Sequence, residues 1–252
     1  RYEIFSYPWK LFPQNATTDN FSRLFYLQYL TIGVNFLKSL LMTMLVAAMA
    51  VVLSLTINMV AAYAFARLKF PFKKIIWMCV LFTMFIPGIT ILITSIRVVY
   101  ELGMLNTIWV LVVPGLVSAY NLFFFRQFFL GFPVDLDEAA KIDGASPIKM
   151  YFHITLPYII FVTGPYLIST FIGNINNFNV IYLLTGGNPK NLDFQFAGDT
   201  DLLITWLYKL TLDNSNFKLA SVIGLIVFII IAFISLIFYS RTSAINKEGD
   251  FN

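Results

Sequence analysis

Apolar residues in this chain are gathered into long unbroken runs rather than alternating with polar ones. Five stretches contain no Asp, Glu, Lys or Arg: Ser39 to Ala66, Ile75 to Ile96, Leu102 to Phe125, Ile154 to Pro189 and Leu219 to Ser240. About 20 apolar residues carry a helix across a bilayer, so each run is long enough to span one. The fourth exceeds a single crossing, and its membrane helix is expected at roughly Tyr158 to Leu183. The pattern predicts an all-α integral membrane protein, a helical bundle with five spans in this chain. Pro87-Gly88, Pro114-Gly115 and Gly164-Pro165 each interrupt a run near mid-membrane. Unwound backbone is tolerated there only beside protein or a water-filled cavity, so each is expected as a kink repaired by neighbours or as part of a translocation path.

Charge then gives the runs a direction. Arg67, Lys69, Lys73 and Lys74 place four cations within eight residues of the first link, which marks it as cytoplasmic by the positive-inside rule. Alternation puts Arg126 to His153 and the tail, 241–252, inside. Residues 1–38, the Arg97 to Glu101 link and the loop 184–218 fall outside. The membrane domain is therefore 39–240, with a cytoplasmic loop over 126–157. An outside N-terminus that starts at Arg1, with neither Met nor a signal-like apolar stretch, is expected to follow an earlier span that precedes this sequence.

Composition narrows the class. The chain is 59% hydrophobic and 12% charged, with a mean hydropathy of +0.78, whereas soluble domains carry about 25% charged residues. The net charge of +4 forms no basic stripe, which argues against nucleic acid as a partner. The one cysteine, Cys79, sits in an apolar run and reads as a packing residue. With His153 as the sole histidine, no histidine-rich metal site or catalytic dyad can be assembled, and no metal or cofactor is expected in this chain. No Gly precedes a Lys, so the phosphate-cradling GxxxxGK[ST] loop is absent. If ATP drives this protein, a partner must bind it.

The most informative segment lies in the cytoplasmic loop: Glu138-Ala139-Ala140, then Gly144, then Ile154-Thr155-Leu156-Pro157. Asp135 can cap a helix with Glu138 at the reciprocal position, and Gly144 can end it. Ser146 and Pro147 suit the N-cap and first position of a second short helix, expected to run to about Ile154, after which Leu156-Pro157 opens the next span. The arrangement reads as helix, elbow, helix. Ala139 and Ala140 leave a smooth face for a protein partner. Asp137 and Lys141 read as solvated loop charges.

These residues resemble the signature of the permease subunits of binding-protein-dependent ABC importers: EAA, three residues, Gly, nine residues, Ile-x-Leu-Pro. The resemblance implies a bundle of the ABC importer permease type in a bacterial plasma membrane. It implies that Asp135, Glu138, Ala139, Ala140, Asp143, Gly144, Ile154, Leu156 and Pro157 couple to a separate ABC ATPase, which binds ATP and Mg and does the hydrolysis. Glu138 would meet basic residues of that ATPase, and Gly144 would set the elbow angle. The other implied partners are a second permease subunit, an extracytoplasmic sugar-binding protein and the lipid bilayer. The chain itself is not expected to be an enzyme.

Outside the motif, Ala61 to Leu68 and the segment from Phe12-Pro13 to Leu24-Phe25 are similar to the smaller subunits of sugar permease pairs. Phe171 to Pro189 and Ala197 to Leu203 look like the larger maltose or maltodextrin subunit. The likeness does not choose between the two types, or between a homodimer and a heterodimer. It implies import of maltose, maltodextrin or a similar oligosaccharide by alternating access. A different solute class is the alternative, and a self-powered carrier a further one, although the spans lack the ionisable groups that charged cargo or proton coupling calls for.

A sugar needs neutral hydrogen-bonding groups and flat apolar surfaces. Thr170, Asn174 and Asn177 fall at i, i+4 and i+7, one stripe of a helix, with Phe171 and Phe178 close by. The resemblance places them in the substrate path, with Gly173 where the family has an aromatic, and adds Tyr120 and Asn121 of the third span. The alternative for all of these is that they hold helices together. Gly186-Gly187-Asn188-Pro189 is expected to turn, and Leu202, Leu203, Trp206, Leu207 and Leu210 to form an amphipathic helix in the membrane interface. The resemblance gives that loop to the solute-binding protein. Asn15-Ala16-Thr17 has the form of a glycosylation acceptor.

Overall fold

The computed structural model describes residues 17–22, 24, 36–133, 138–140, 142, 144–189 and 197–241. The first run becomes one helix, α1 (Phe36–Arg67), with a stripe of small or polar side chains: Ser39, Thr43, Ala47, Ala50, Ser54, Asn58 and Ala62 are all buried. Small side chains let neighbouring helices approach closely inside a membrane. Leu41, Leu45, Val52 and Val60 are exposed, as expected where a helix meets acyl chains. We call the Arg67 side of the molecule the basic end and the Phe36 side the far end.

The second run is broken. α2 (Lys73–Thr83) and α3 (Gly88–Glu101) meet at 102°. Pro87 cannot donate a backbone hydrogen bond and holds an extended ψ of 131°, so the helix restarts only at Gly88. The expected break is present, as a bend of slightly more than a right angle. None of the α2 residues is buried within this chain.

The third run also divides, into α4 (Ile108–Val112), continued by a 3₁₀ turn to Gly115, and α5 (Ala119–Gly131), at 52°. Pro114-Gly115 was the expected break, yet both residues stay in the 3₁₀ turn and the chain opens at Leu116 to Ser118. The cause is Asn58 of α1. Its Nδ2 donates to the Leu116 carbonyl at 2.8 Å and its Oδ1 accepts from the Ser118 amide at 3.1 Å, so one side chain satisfies both backbone groups that the opening frees. The Ser118 hydroxyl then caps α5 by accepting from the Asn121 amide.

The fourth run yields three helices. α6 begins at Pro147–Met150, passes through a π turn at Tyr151–Thr155 and ends at Leu156–Val162. Thus the second arm of the elbow does not stop near Ile154, as expected, but is continuous with the span. Pro157 explains the π turn: its missing N–H and its ring conflict with the carbonyl four residues back, and a widened turn relieves both. α7 (Gly164–Ile175) follows after a 70° bend at Thr163, and α8 (Phe178–Leu184) after Asn176-Asn177.

α9 (Leu203–Tyr208) runs into a second π turn at Lys209–Asp213, and α10 (Phe217–Arg241) is the last long helix. Leu203, Trp206 and Leu210 are fully packed against Ala47, Ile175, Ala220 and Ile223 among others, and Leu202 is buried beside Val46, Val110 and Ile181. The amphipathic helix expected in the interface is therefore a core element, and its apolar face covers α1, α7 and α10 rather than lipid.

α1 is the central post, packed most extensively by α5 and then α7. Met59, Ala62, Phe125, Phe129, Tyr151 and Ile159 fill the core towards the basic end. Two helices qualify as spans alone, α1 and α10, and up to five crossings result if each bent pair counts as one, in agreement with the number expected.

Candidate functional site

The elbow sits beyond the basic ends of α5 and α6. Glu138 to Ala140 are helical, Glu138 and Ala139 exposed and Ala140 buried. Gly144 takes a φ of +77°, and the Ala145 amide reaches back five residues to the Ala140 carbonyl at 2.9 Å. A glycine in the left-handed region with a six-to-one hydrogen bond closing over it is a Schellman ending, which agrees with the predicted role of Gly144. The Ser146 hydroxyl accepts from the Lys149 amide at 3.3 Å and so caps α6 as expected. Asp135 and Asp143, like Asp137 and Lys141, lie outside the described residues.

Three large apolar side chains on this elbow face outward: Ile142 at 86% exposure, Ile148 at 72% and Phe152 at 56%. Sequence reasoning missed them because each looks like an ordinary packing residue. Ile148 and Phe152 lie one turn apart on α6, while Ile142 and Ala139 are exposed on the segment that begins with Glu138. Ile154 and Leu156 are half-buried and Pro157 exposed, all on the α6 rod that joins the elbow to the membrane helices. A Cβ added at Gly144 would meet nothing within 4 Å. Gly144→Ala should therefore cost only the backbone strain of the left-handed conformation, about 1 kcal/mol, read as a small loss of thermal stability.

A second cluster lies between α5 and α7. Asn121 is buried and its Oδ1 accepts a short hydrogen bond from the Tyr166 hydroxyl. Tyr120, 54% exposed, stacks over Phe124 with centroids 6.2 Å apart and approaches the Tyr166 ring at 6.3 Å. On α7, the Thr170 hydroxyl donates to the Tyr166 carbonyl and the Asn174 amide donates to the Thr170 carbonyl, both at 2.9 Å. Tyr120, Asn121, Tyr166, Thr170 and Asn174 thus line one wall from two helices.

Asn177 does not continue that stripe. α7 ends at Ile175, and Asn177 occupies the link to α8, so the i+7 relation from Thr170 is broken. The Phe178 amide donates to the Asn176 carbonyl at 2.9 Å, a tight turn of the kind that Asn-rich segments favour over helix. Tyr166 is the wall residue that sequence reasoning missed. It lies four residues before Thr170, and the same periodicity extended backwards reaches it.

The loop at the far end is more strongly held than its sequence indicates. The Lys209 ammonium and Asp201 carboxylate are buried and 2.6 Å apart, and Asp201 also accepts from the Gly198 amide at 2.6 Å. Gly187, with φ +77°, passes directly beneath: an added Cβ would overlap both the Asp201 and Lys209 side chains. One at Gly198 would overlap the Gly187 carbonyl. The expected Gly-Gly turn is real, and its function is close backbone packing against this ion pair. The Thr200 and Gly187 donors both reach the Thr185 hydroxyl, which closes the knot.

Comparison with known proteins follows the same lines. A curated relative from Bacillus subtilis (strain 168), the maltodextrin transport system permease protein MdxF, is 43% identical over 117 residues, 46% of this chain and 27% of that protein. The galactooligosaccharides transport system permease protein GanP of the same organism is 39% identical over 46% of this chain and 28% of its own length. The chain therefore matches little more than a quarter of these two relatives. The sn-glycerol-3-phosphate transport system permease protein UgpE of Salmonella typhi is 30% identical over 205 residues, 80% of this chain and 71% of that protein. Among solved structures, a bacterial ABC transporter involved in the import of the acidic polysaccharide alginate superposes with a TM-score of 0.75, covering 95% of this chain and 84% of that chain at 17% identity, a likeness of fold. The family model of the binding-protein-dependent transport system inner membrane component matches residues 54–244, and this chain belongs to that family of multi-pass membrane proteins.

Proposed function

We propose that the protein is the membrane-spanning permease subunit of an ATP-driven carbohydrate importer, with maltodextrin or a similar oligosaccharide as cargo. The carbohydrate reading is carried by the wall between α5 and α7. Its polar groups are neutral, its Tyr120 ring is open, and neither the Tyr120 hydroxyl nor Asn174 Oδ1 has a partner among the described residues. A sugar hydroxyl can bond to each while its CH face lies on the ring. The printed cargoes of MdxF and GanP agree with this reading.

In this reading the loop 126–157 is cytoplasmic and the elbow docks on a separate ABC ATPase. Ile142, Ile148 and Phe152 supply the buried centre of that contact and Glu138 a charge at its rim. Because α6 runs without interruption from the elbow into the membrane, displacement of the elbow tilts the span and opens the wall alternately to either side. A second permease completes the cavity, and a binding protein delivers solute to the loop 184–218. Swinging the balance of the two states from 1:99 to 99:1 takes about 5.5 kcal/mol, within reach of nucleotide binding and hydrolysis.

A second reading, a phosphate-ester cargo, is favoured by the relation to UgpE. The wall opposes it, since none of Tyr120, Asn121, Tyr166, Thr170 and Asn174 offers a positive charge. Uptake of labelled maltodextrin by cells carrying the complete transporter tests the choice. Tyr120→Ala and Asn174→Ala should each lower transport about three- to tenfold, the worth of one hydrogen bond at the rate-determining contact. Full uptake in both variants, or inhibition by sn-glycerol 3-phosphate in place of maltodextrin, would overturn the carbohydrate reading.

A further inference from the structure

The basic end gathers cations from two helices, and the structure shows how they are arranged. Lys69, Lys73 and Lys74 flank the start of α2, and Arg126 of α5 comes in beside them with its guanidinium 4.3 Å over the Trp77 ring. Lys73 and Arg126 repel one another. Arg126 Nε donates to the Phe65 carbonyl at 3.3 Å and the Lys73 ammonium to the Leu68 carbonyl at 2.8 Å, contacts that orient both cations without neutralising them. Among the described residues no carboxylate pairs with Lys69, Lys73, Lys74 or Arg126. Lys69 and Lys74 are exposed.

The surroundings indicate the kind of anion these cations suit. α2 continues from these cations as an apolar helix with Ile75, Met78 and Phe82 exposed at 60%, 54% and 64%, a surface that suits acyl chains. Trp77, one turn along, is the amphipathic ring that settles at headgroup depth. An occupant that fits both parts carries a negative headgroup and a hydrocarbon tail. We propose that Lys69, Lys73, Lys74 and Arg126 form a site for the phosphate headgroup of an anionic phospholipid, its acyl chains lying along α2. Juxtamembrane cations of this kind attract anionic lipid individually, and Arg126 of α5 adds a charge from a second helix to the lysines that flank the start of α2.

The test uses the intact transporter with its partner subunits, released from nanodiscs made with equal phosphatidylglycerol and phosphatidylcholine, and native mass spectrometry of the lipid retained. The natural protein should retain phosphatidylglycerol preferentially. K69Q/K74Q should lower that preference about 25-fold, roughly fivefold for each lysine, whereas K69R/K74R, with charge kept, and K149Q, a cation on the elbow, should leave it unchanged. Equal retention of the two lipids by the natural protein, or an unchanged preference in K69Q/K74Q, overturns the proposal. Displacement of the lipid by millimolar inorganic phosphate would assign the site to a free anion instead and overturn it equally.

Discussion

Lys209→Met is expected to lower the stability of the folded protein by about 3–5 kcal/mol, the usual result of removing one member of a buried ion pair. The Asp201 carboxylate would be left charged, fully enclosed and facing the Gly187 backbone, with the Gly198 amide as its one remaining donor among the described residues. The loop end of α8 and the start of α9 meet at this pair, so the loss should spread to Leu202 and Leu203 beneath. Thermal unfolding of the purified protein in detergent gives the magnitude. Asp201→Leu combined with Lys209→Met should be less damaging than Lys209→Met alone, because no lone charge remains. If the double variant is the weaker one by the sum of both single losses, the two side chains are not coupled and the knot is held by something else.

The second large effect is expected at Asn58. Asn58→Leu keeps the side-chain volume close to the original but strips the Leu116 carbonyl and the Ser118 amide of their partner, in a part of the bundle where water does not compensate. At about 1–3 kcal/mol for each orphaned group, a loss of about 2–6 kcal/mol follows, measurable as a fall in unfolding temperature. An unfolding temperature in Asn58→Leu equal to that of the natural protein would show that α4 and α5 satisfy their own ends.

The sequence exposes these two features poorly. Asn58 sits in the middle of an apolar run and is separated by about 60 residues from the backbone it serves, so no local pattern marks it. Asp201 and Lys209 read as ordinary charges of an outer loop, and only the packing of Gly187 against Gly198 brings them into the interior. By contrast, α1 and α10 were legible nearly to the residue, because a continuous apolar run bounded by charges leaves one solution in a bilayer. Pro87-Gly88 marked a break but not its 102° angle, which depends on what the two halves pack against. The elbow was legible because glycine geometry and helix capping are local. Its exposed Ile142, Ile148 and Phe152 were not, because hydrophobicity alone does not distinguish a core residue from an exposed one. The wall was half legible: helical spacing joined Thr170 to Asn174, and failed at Asn177 where the helix stops.

The widened turn at Tyr151–Thr155 also fixes a phase. Each residue of a regular helix advances the chain by about 100° around its axis, and a π turn holds one residue more than the α turn it replaces. Removing a single residue between Tyr151 and Thr155 would restore even winding and leave Gly144 and Glu138 near their present azimuth relative to α7, because the wide turn already absorbs the extra residue. Removing one residue from the regular turn at Pro147–Met150 would instead swing the elbow by about 100° and turn its handle aside while the bundle stays folded.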